Sequence, residues 1–190
     1  MGLRKERPTE LENDMSDRLR DFLDQDTEFK DRPVELFREV PLYDRKRARR
    51  KQLGCSDIMF LCSTGERKPW PYFVVESKRL HVTFSSGWRS LVSEYVVGGQ
   101  GMMCFIEQRY SQGLASGGML GYVFDGDIEK ARTSVAASIE ANREQLKTTP
   151  PFKLVPSSVL PGDSRVSETI HALAHGGFVI YHLFVAVLDD

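Results

Sequence analysis

Apolar residues recur along this chain at two different spacings, and the spacings predict both helices and strands. Steps of three and four residues predict an amphipathic helix over residues 9–24, with Thr9 as its N-cap and Glu12 closing a capping box. A second helical stripe covers residues 128–146. The segment 85–110 has helical spacing too, and we expect the glycines near residue 100 to interrupt it.

Shorter apolar runs predict strands. The first loses its alternation at Phe37, whereas the second is apolar throughout, which is typical of a strand covered on both faces. A polar turn joins the second run to the third, so we expect these two to pair as a hairpin. Prolines make residues 148–163 a surface crossing. The predicted strands are 34–42, 55–62, 72–78, 117–124 and 178–188.

The order of these elements is helix, three strands, helix, strand, helix, strand. It predicts an α/β fold in which helices flank one central mixed β-sheet. A chain of 190 residues is of ordinary size for one domain. We assign the core to about residues 9–125 and a C-terminal helix-strand extension to residues 126–190.

Composition narrows the classes of function. Hydrophobic residues make up 41% of the chain and charged residues 28%, which is typical of a soluble globular protein. Long apolar runs and an apolar signal segment are lacking, so we predict a cytoplasmic protein without membrane contact. The three cysteines lack CxxC spacing, which argues against a disulfide framework or a zinc knuckle. The net charge of -1 predicts no global attraction to nucleic acid.

Polar residues that interrupt the apolar strands are the candidates for chemistry. Asp57 opens the apolar part of the second strand, and Glu76, Ser77 and Lys78 end the third. Because side chains alternate along a strand, Glu76 and Lys78 should point to one face and Ser77 to the other. A carboxylate and an ammonium in an apolar core are costly when unpaired, so they form either a satisfied structural contact or a site.

This arrangement of Asp57 and Glu76-Ser77-Lys78 resembles the PD-(D/E)XK nuclease superfamily, whose core runs helix, three strands, helix, strand. Ser56 stands in place of the motif's proline, a common variation. The resemblance covers about residues 11–124. It implies a restriction-endonuclease-like three-layer core and a Mg²⁺-dependent endonuclease that hydrolyses the phosphodiester bonds of DNA. By analogy, it implies a nuclease subunit of a prokaryotic restriction or anti-phage defence system, with a recognition or ATPase partner or a second copy of the chain.

The chemistry of phosphodiester hydrolysis accounts for these residue types. A cation offsets charge on the phosphate and lowers the pKa of the attacking water, and hard oxygen ligands suit Mg²⁺, with Mn²⁺ as a substitute. We predict Asp57 and Glu76 as catalytic metal ligands, helped by the backbone of Ser77. Lys78 would orient or deprotonate the water or stabilise the transition state. Glu12 is a candidate further catalytic carboxylate, with the capping box as its alternative role.

A basic run lies shortly before Asp57. Six of the seven residues at 45–51 are basic, and phosphate contacts there would hold a duplex against the metals. The alternative is an ordinary solvated loop. The predicted nucleic-acid-binding residues are Arg45, Lys46, Arg47, Arg49, Arg50 and Lys51.

Other interpretations stay open at this point. The charged residues would be purely structural if they satisfied each other. A nuclease-like fold without activity would serve as a nucleic-acid-binding or assembly module, and a structural subunit would dock its apolar C-terminal strand on a partner. These alternatives predict no cleavage with any metal.

Four residues outside the motif are predicted to be structural. Trp88 and Tyr95 lie at helical spacing and are expected in the core, with base stacking as the alternative role. His171 and His175 are four residues apart, but the Glu of a zinc-binding helix motif and a third ligand are both missing. We therefore predict a helix-end or core role for both histidines.

Overall fold

The structure, a computed structural model, describes residues 3–44, 51–62, 71–110 and 112–189. Within these residues the helices are α1 (Glu12–Gln25), α2 (Thr27–Lys30), α3 (Val92–Val96), α4 (Met103–Ile106) and α5 (Ile128–Ala141). The strands are β1 (Leu3–Lys5), β2 (Val34–Tyr43), β3 (Gln52–Cys62), β4 (Tyr72–Leu80), β5 (Val82–Phe84), β6 (Gly87–Arg89), β7 (Ser116–Val123), β8 (Val155–Pro156), β9 (Val166–Leu173) and β10 (Gly176–Asp189).

Eight of these strands form one mixed sheet, so the prediction of an α/β fold around a central mixed sheet is confirmed. Its order is β2-β3-β4-β7-β10-β9-β8, and β1 also pairs with β10. The strands β2, β3 and β4 form an antiparallel meander, and β4, β7 and β10 run parallel. Residues before and after position 125 contribute to the same sheet, and the division of the chain there stays a prediction.

Helices cover both faces of the sheet, because alternate residues of the inner strands belong to different hydrophobic clusters. Met119 packs with the cluster formed by α3, α4 and α5, whereas its neighbour Leu120 packs with Met15 and Leu19 of α1. Helix α1 therefore lies on one face and the later helices lie on the other. This layering is compatible with a three-layer core.

The N-terminus of α1 differs from the prediction. The helix begins at Glu12 after Leu11, and the side chain of Asp14 accepts a hydrogen bond from the Leu11 backbone N–H at 3.1 Å. Asp14 therefore takes the reciprocal position of a capping box that was predicted for Glu12 with Thr9. The carboxylate of Glu12 is left available for contacts with β4.

The lost alternation at Phe37 has a simple cause. Strand β2 continues through it with Phe37 on the exposed face and Arg38 on the inner face, where Arg38 pairs with Asp17 of α1. The next residue, Glu39, has a left-handed φ of 49° and lies between the ladder pairs of its neighbours with β3. A charged residue on the inner face therefore interrupts the alternation of apolar and polar residues, although the strand itself continues.

The predicted long helix over residues 85–110 is wrong in its first part. Trp88 lies on the β5-β6 hairpin and is 48% exposed, whereas Tyr95 on α3 is fully buried as predicted. The expected break at the glycines is confirmed, because α3 ends at Val96. A Cβ at Gly101 would lie 2.3 Å from two backbone carbonyl oxygens of α3, so this tight turn requires glycine.

Strand β9 was not predicted from the sequence, and it holds His171 in the core. A chain of hydrogen bonds joins Tyr95, His182, Thr169 and His171 to the backbone carbonyl of Leu146, with distances of 2.7 to 2.9 Å. The carbonyl only accepts, so His171 Nδ1 donates to it and its Nε2 accepts from Thr169. His182 Nε2 then donates to Thr169 and its Nδ1 accepts from Tyr95. Both rings are neutral.

Burial explains why this chain of neutral groups is favoured. It lowers the pKa of His171 to about 4 and that of His182 to about 3. His175, by contrast, is exposed in the turn after β9, where its Nε2 lies 3.2 Å from the Leu114 carbonyl. The predicted core role is therefore confirmed for His171 and wrong for His175.

We expect Thr169→Val to lower the free energy of unfolding by about 2–4 kcal/mol, because two buried imidazole nitrogens lose their common partner. Thr133→Val on the exposed face of α5 is the control and should stay within about 0.5 kcal/mol. Urea denaturation at pH 7 measures both. Equal effects of the two substitutions would contradict the assigned chain of hydrogen bonds.

Candidate active site

The candidate site begins where β3 and β4 separate. Their ladder ends at the pair Ile58 and Val75, so the strand backbone of β3 no longer pairs with Ser77. The carboxylate of Asp57 replaces it: Oδ2 accepts from the Ser77 backbone N–H at 2.7 Å and from its hydroxyl at 2.8 Å. Asp57 is thereby fixed next to Ser77, which lies between Glu76 and Lys78.

Ser77 connects this strand to α1. Its hydroxyl lies 3.3 Å from Ser16 Oγ, which in turn lies 3.1 Å from the hydroxyl of Tyr122. All three side chains are buried where α1 meets the sheet. These hydroxyls, linked through Ser77 to the Asp57 carboxylate, fix the position of β4 against the helix.

Lys78 lies at the centre of the site. Its Nζ donates to Glu76 Oε1 at 2.9 Å, to Glu12 Oε2 at 3.0 Å and to the Ser77 carbonyl at 2.6 Å. An ammonium has three N–H donors, and all three are therefore used. Because Glu76 and Lys78 form a direct ion pair, the prediction that they point to the same face is confirmed.

Glu12 reaches this ion pair from the first turn of α1. Besides Lys78, its carboxylate accepts from the backbone N–H of Arg79 at 3.4 Å. The guanidinium of Arg79 donates to the backbone carbonyls of Glu10 and Thr9 just before the helix. The start of α1 is therefore held against the end of β4 through both partners of Glu12.

Burial controls the protonation of the site. It raises the pKa of Glu76 to about 8, since the stabilising charge of Lys78 is opposed by Asp57 and Glu12. Burial alone would lower the pKa of Lys78, but Glu76, Glu12 and Asp57 outweigh it and hold that pKa above its ordinary value. Lys78 is therefore cationic at any physiological pH.

One oxygen of the site has no partner. Glu76 is 2% exposed, and its Oε2 is buried without a hydrogen bond among the described groups. A buried carboxylate oxygen that receives no proton donor is costly in a core. It is also a hard anionic oxygen, so the donor set of Glu76, Asp57 and the Ser77 carbonyl fits Mg²⁺ in chemical type.

Three carboxylates and one ammonium meet in this region, but they do not form a closed metal cage. Within the part of the chain that the structure describes, no group of three or more His, Cys, Asp or Glu side chains is arranged to hold a metal ion. The ligand set predicted from the sequence is smaller, with two carboxylates and one backbone oxygen. Its role as a metal centre stays a prediction.

Most of the predicted nucleic-acid-binding residues lie in a part of the chain that the structure does not describe. Arg45, Lys46, Arg47, Arg49 and Arg50 lie outside the described residues, while Lys51 is exposed and its carbonyl accepts from the Asp44 N–H.

Two contributors to the site were missed from the sequence. Ser16 sits within the apolar stripe of α1 as a single small polar residue, and Arg79 directly follows the motif. A buried serine at helical spacing is a weak signal. A basic residue directly after the motif is also a weak signal, because its hydrogen bonds cannot be read from local sequence.

The comparisons with known proteins do not identify this chain. No protein-family model, no curated protein and no solved structure matches it. None of the described helices is long and apolar enough to cross a membrane.

We expect Glu76→Gln to change the pH dependence of stability. The folded pKa of Glu76 is about 8, above the ordinary value of 4.5, so the folded state binds the proton more tightly and wild-type stability falls as pH rises between these values. The Gln variant lacks this loss. With a chelator present, the free energy of unfolding of the Gln variant relative to wild type should increase by up to about 1.4 kcal/mol for each unit by which the pH rises. A difference independent of pH would contradict the raised pKa.

We expect Lys78→Met to lower the free energy of unfolding by about 3 kcal/mol, because it leaves buried Glu76 without its cation. The loss should be larger at pH 9 than at pH 6, where Glu76 is protonated. The double variant Glu76→Gln/Lys78→Met should recover a large part of it. Lys153→Met, at an exposed position, is the control. Additive losses in the double variant would contradict the ion pair.

Proposed function

We propose that this protein is a Mg²⁺-dependent endonuclease that hydrolyses phosphodiester bonds, with Asp57, Glu76 and Lys78 as its catalytic residues. The observation that supports it most directly is the buried Glu76 carboxylate, which binds Lys78 through Oε1 and leaves Oε2 without a partner. A purely structural ion pair does not require Glu76 Oε2 to be buried without a partner. A site that binds a cation does, because that oxygen would be a ligand of the cation.

The topology supports the same proposal. The resemblance of Asp57 and Glu76-Ser77-Lys78 to the PD-(D/E)XK motif implies a core that runs helix, three strands, helix, strand. Here α1 precedes the meander β2-β3-β4, and the segment with α3 and α4 leads to β7, parallel to β4. On this basis we propose the restriction-endonuclease-like form of the α/β fold.

The proposed mechanism assigns a separate task to each residue. Asp57, Glu76 and the Ser77 carbonyl would hold Mg²⁺, which when bound lowers the pKa of the attacking water and offsets charge on the phosphate. When substrate binds, Lys78 would exchange one of its three present acceptors for the attacking water or a phosphate oxygen. Because the neighbouring carboxylates hold the pKa of Lys78 above its ordinary value, we assign Lys78 the role of a donor that stabilises negative charge. Glu12 keeps Lys78 charged and positioned.

The biological setting is proposed by analogy with proteins that carry this motif. We propose DNA as the substrate and the cytoplasm as the location. We also propose assembly with a recognition or ATPase partner, or as a homodimer, in a restriction or anti-phage system.

A second candidate is a nuclease-like module that binds nucleic acid without cutting it. Lys78 supports this alternative, because its ammonium already binds the Ser77 carbonyl and one oxygen each of Glu76 and Glu12. If that arrangement persists with substrate, the carboxylates stay neutralised by Lys78 alone. The protein then binds nucleic acid with a strong salt dependence and does not cleave it.

We expect the purified protein to convert supercoiled plasmid DNA to nicked or linear forms in Mg²⁺ and to lose that activity in EDTA. Asp57→Asn and Glu76→Gln should each reduce the rate at least about 100-fold, which corresponds to about 2.7 kcal/mol of transition-state stabilisation. Lys78→Met should do the same.

Matched controls separate catalysis from folding. Glu144→Gln and Lys153→Met change charges at exposed positions away from the site and should cleave like wild type. Denaturation curves of all variants report whether each one folds. Metal-independent cleavage, or wild-type rates in folded Asp57→Asn and Glu76→Gln, would refute the proposed mechanism.

A further inference from the structure

A small hairpin extends the proposed active site beyond the end of β4. It consists of β5 and β6, which pair through Val82 with Arg89, Thr83 with Trp88 and Phe84 with Gly87. One residue, His81, separates it from β4. Lys78 is two residues before the end of that strand, a distance of about 7 Å along the chain. The hairpin is therefore attached directly to the strand that carries the motif.

Trp88 is the largest exposed side chain of this hairpin. It is 48% exposed, although the sequence pattern predicted it in the core. The ammonium of Lys130 lies 4.5 Å from the centroid of its ring, and the His81 ring lies 5.4 Å away at an angle of 48°. The indole therefore contacts Lys130 and His81, while about half of its surface remains exposed.

Positive charge accompanies the aromatic rings. The guanidinium carbons of Arg79 and Arg89 lie 5.9 and 5.6 Å from the centroid of Phe84, and Lys130 lies over Trp88. Asp125 lies 3.6 Å from the Lys130 ammonium. Three cations thus surround two aromatic rings, which is the combination that single-stranded nucleic acids bind.

The base of the hairpin is fixed by His81. This residue has a left-handed φ of 57°, is 1% exposed and lies 3.1 Å from Asp125 through Nδ1. The carboxylate accepts, so Nδ1 carries the hydrogen, and the buried Nε2 has no partner among the described groups. Strained backbone and an unpaired buried nitrogen concentrate at functional sites. They occur here directly beneath the exposed indole.

Arg79 joins the hairpin to the candidate site. Its backbone N–H donates to Glu12, which binds Lys78, and its guanidinium lies near the ring of Phe84. A strand whose phosphate is at Lys78 therefore has its next nucleotides within reach of the hairpin.

We propose that the β5-β6 hairpin binds an unpaired nucleotide next to the cleaved bond, with its base stacked on Trp88 and its phosphates near Arg79, Arg89 and Lys130. This inference rests on the proposed nuclease function and specifies its substrate: a strand with an unpaired base, because a base inside a duplex presents no face to an indole. Single-stranded or frayed ends are bound in preference to intact duplex.

The test uses fluorescence of Trp88 in the Trp70→Phe variant, where it is the remaining tryptophan. Titration in EDTA with a 20-nucleotide single-stranded DNA should quench this fluorescence, and the same-sequence duplex should quench it less. Single-stranded RNA of that sequence is titrated in the same way as a third ligand. In anisotropy measurements Trp88→Ala should bind single-stranded DNA at least about tenfold more weakly, and Trp88→Phe should restore most of the affinity.

Phe152→Ala is the matched control, because Phe152 is also exposed, with a guanidinium 5.7 Å from its ring centroid. It should bind like wild type. Affinity within twofold of wild type in folded Trp88→Ala, or an equal loss in Phe152→Ala, overturns the inference. Binding in EDTA does not depend on cleavage. Quenching without cleavage therefore refutes the nuclease proposal alone, and cleavage with unchanged KM in Trp88→Ala refutes the stacking proposal alone.

Discussion

The fold around the candidate site depends on one buried ammonium. Lys78 donates to a carboxylate of its own strand, to a carboxylate from α1 and to a backbone carbonyl, so it links the sheet to the first helix at a single point. Replacing the whole ion pair by apolar groups would be simpler for stability alone, since burying charges costs several kcal/mol per ion. A core that keeps this arrangement carries a constraint other than stability.

The structure contains a useful comparison within the same sheet. The chain from Tyr95 through His182 and Thr169 to His171 is equally buried, yet each of its polar atoms has a partner and the rings are neutral. That network satisfies itself. The charged cluster does not, because Glu76 Oε2 has no partner. The chain from Tyr95 to His171 is thus a structural network in which every polar atom has a partner, and the cluster around Lys78 differs from it in this respect.

Local pattern was sufficient for the parts of the fold in which neighbouring residues decide the structure. The apolar runs of β3, β4 and β10 and the joint direction of Glu76 and Lys78 follow from strand periodicity. Strand β9 was missed because Glu168 and Thr169 are buried polar residues whose hydrogen-bond partners, Ser158 and His182, lie elsewhere in the sequence. In the same way, contacts from β4 to residues 9–12 override the capping signature at Thr9, and no local pattern contains them.

Charge balance also connects the site to its proposed function. Glu12, Asp57 and Glu76 carry three negative charges when ionised, and Lys78 compensates one of them, which leaves two uncompensated charges in a buried region. In the protein alone, the raised pKa of Glu76, about 8, favours a proton there, which removes one of these two charges. A divalent cation would offset both while keeping Glu76 ionised, and it would use the oxygen that now lacks a partner. Glu76 and Glu12 also accept hydrogen bonds directly from the Lys78 ammonium, and these contacts hold its pKa above the ordinary value. A lysine kept charged by direct carboxylate contacts is suited to electrostatic stabilisation of a phosphate.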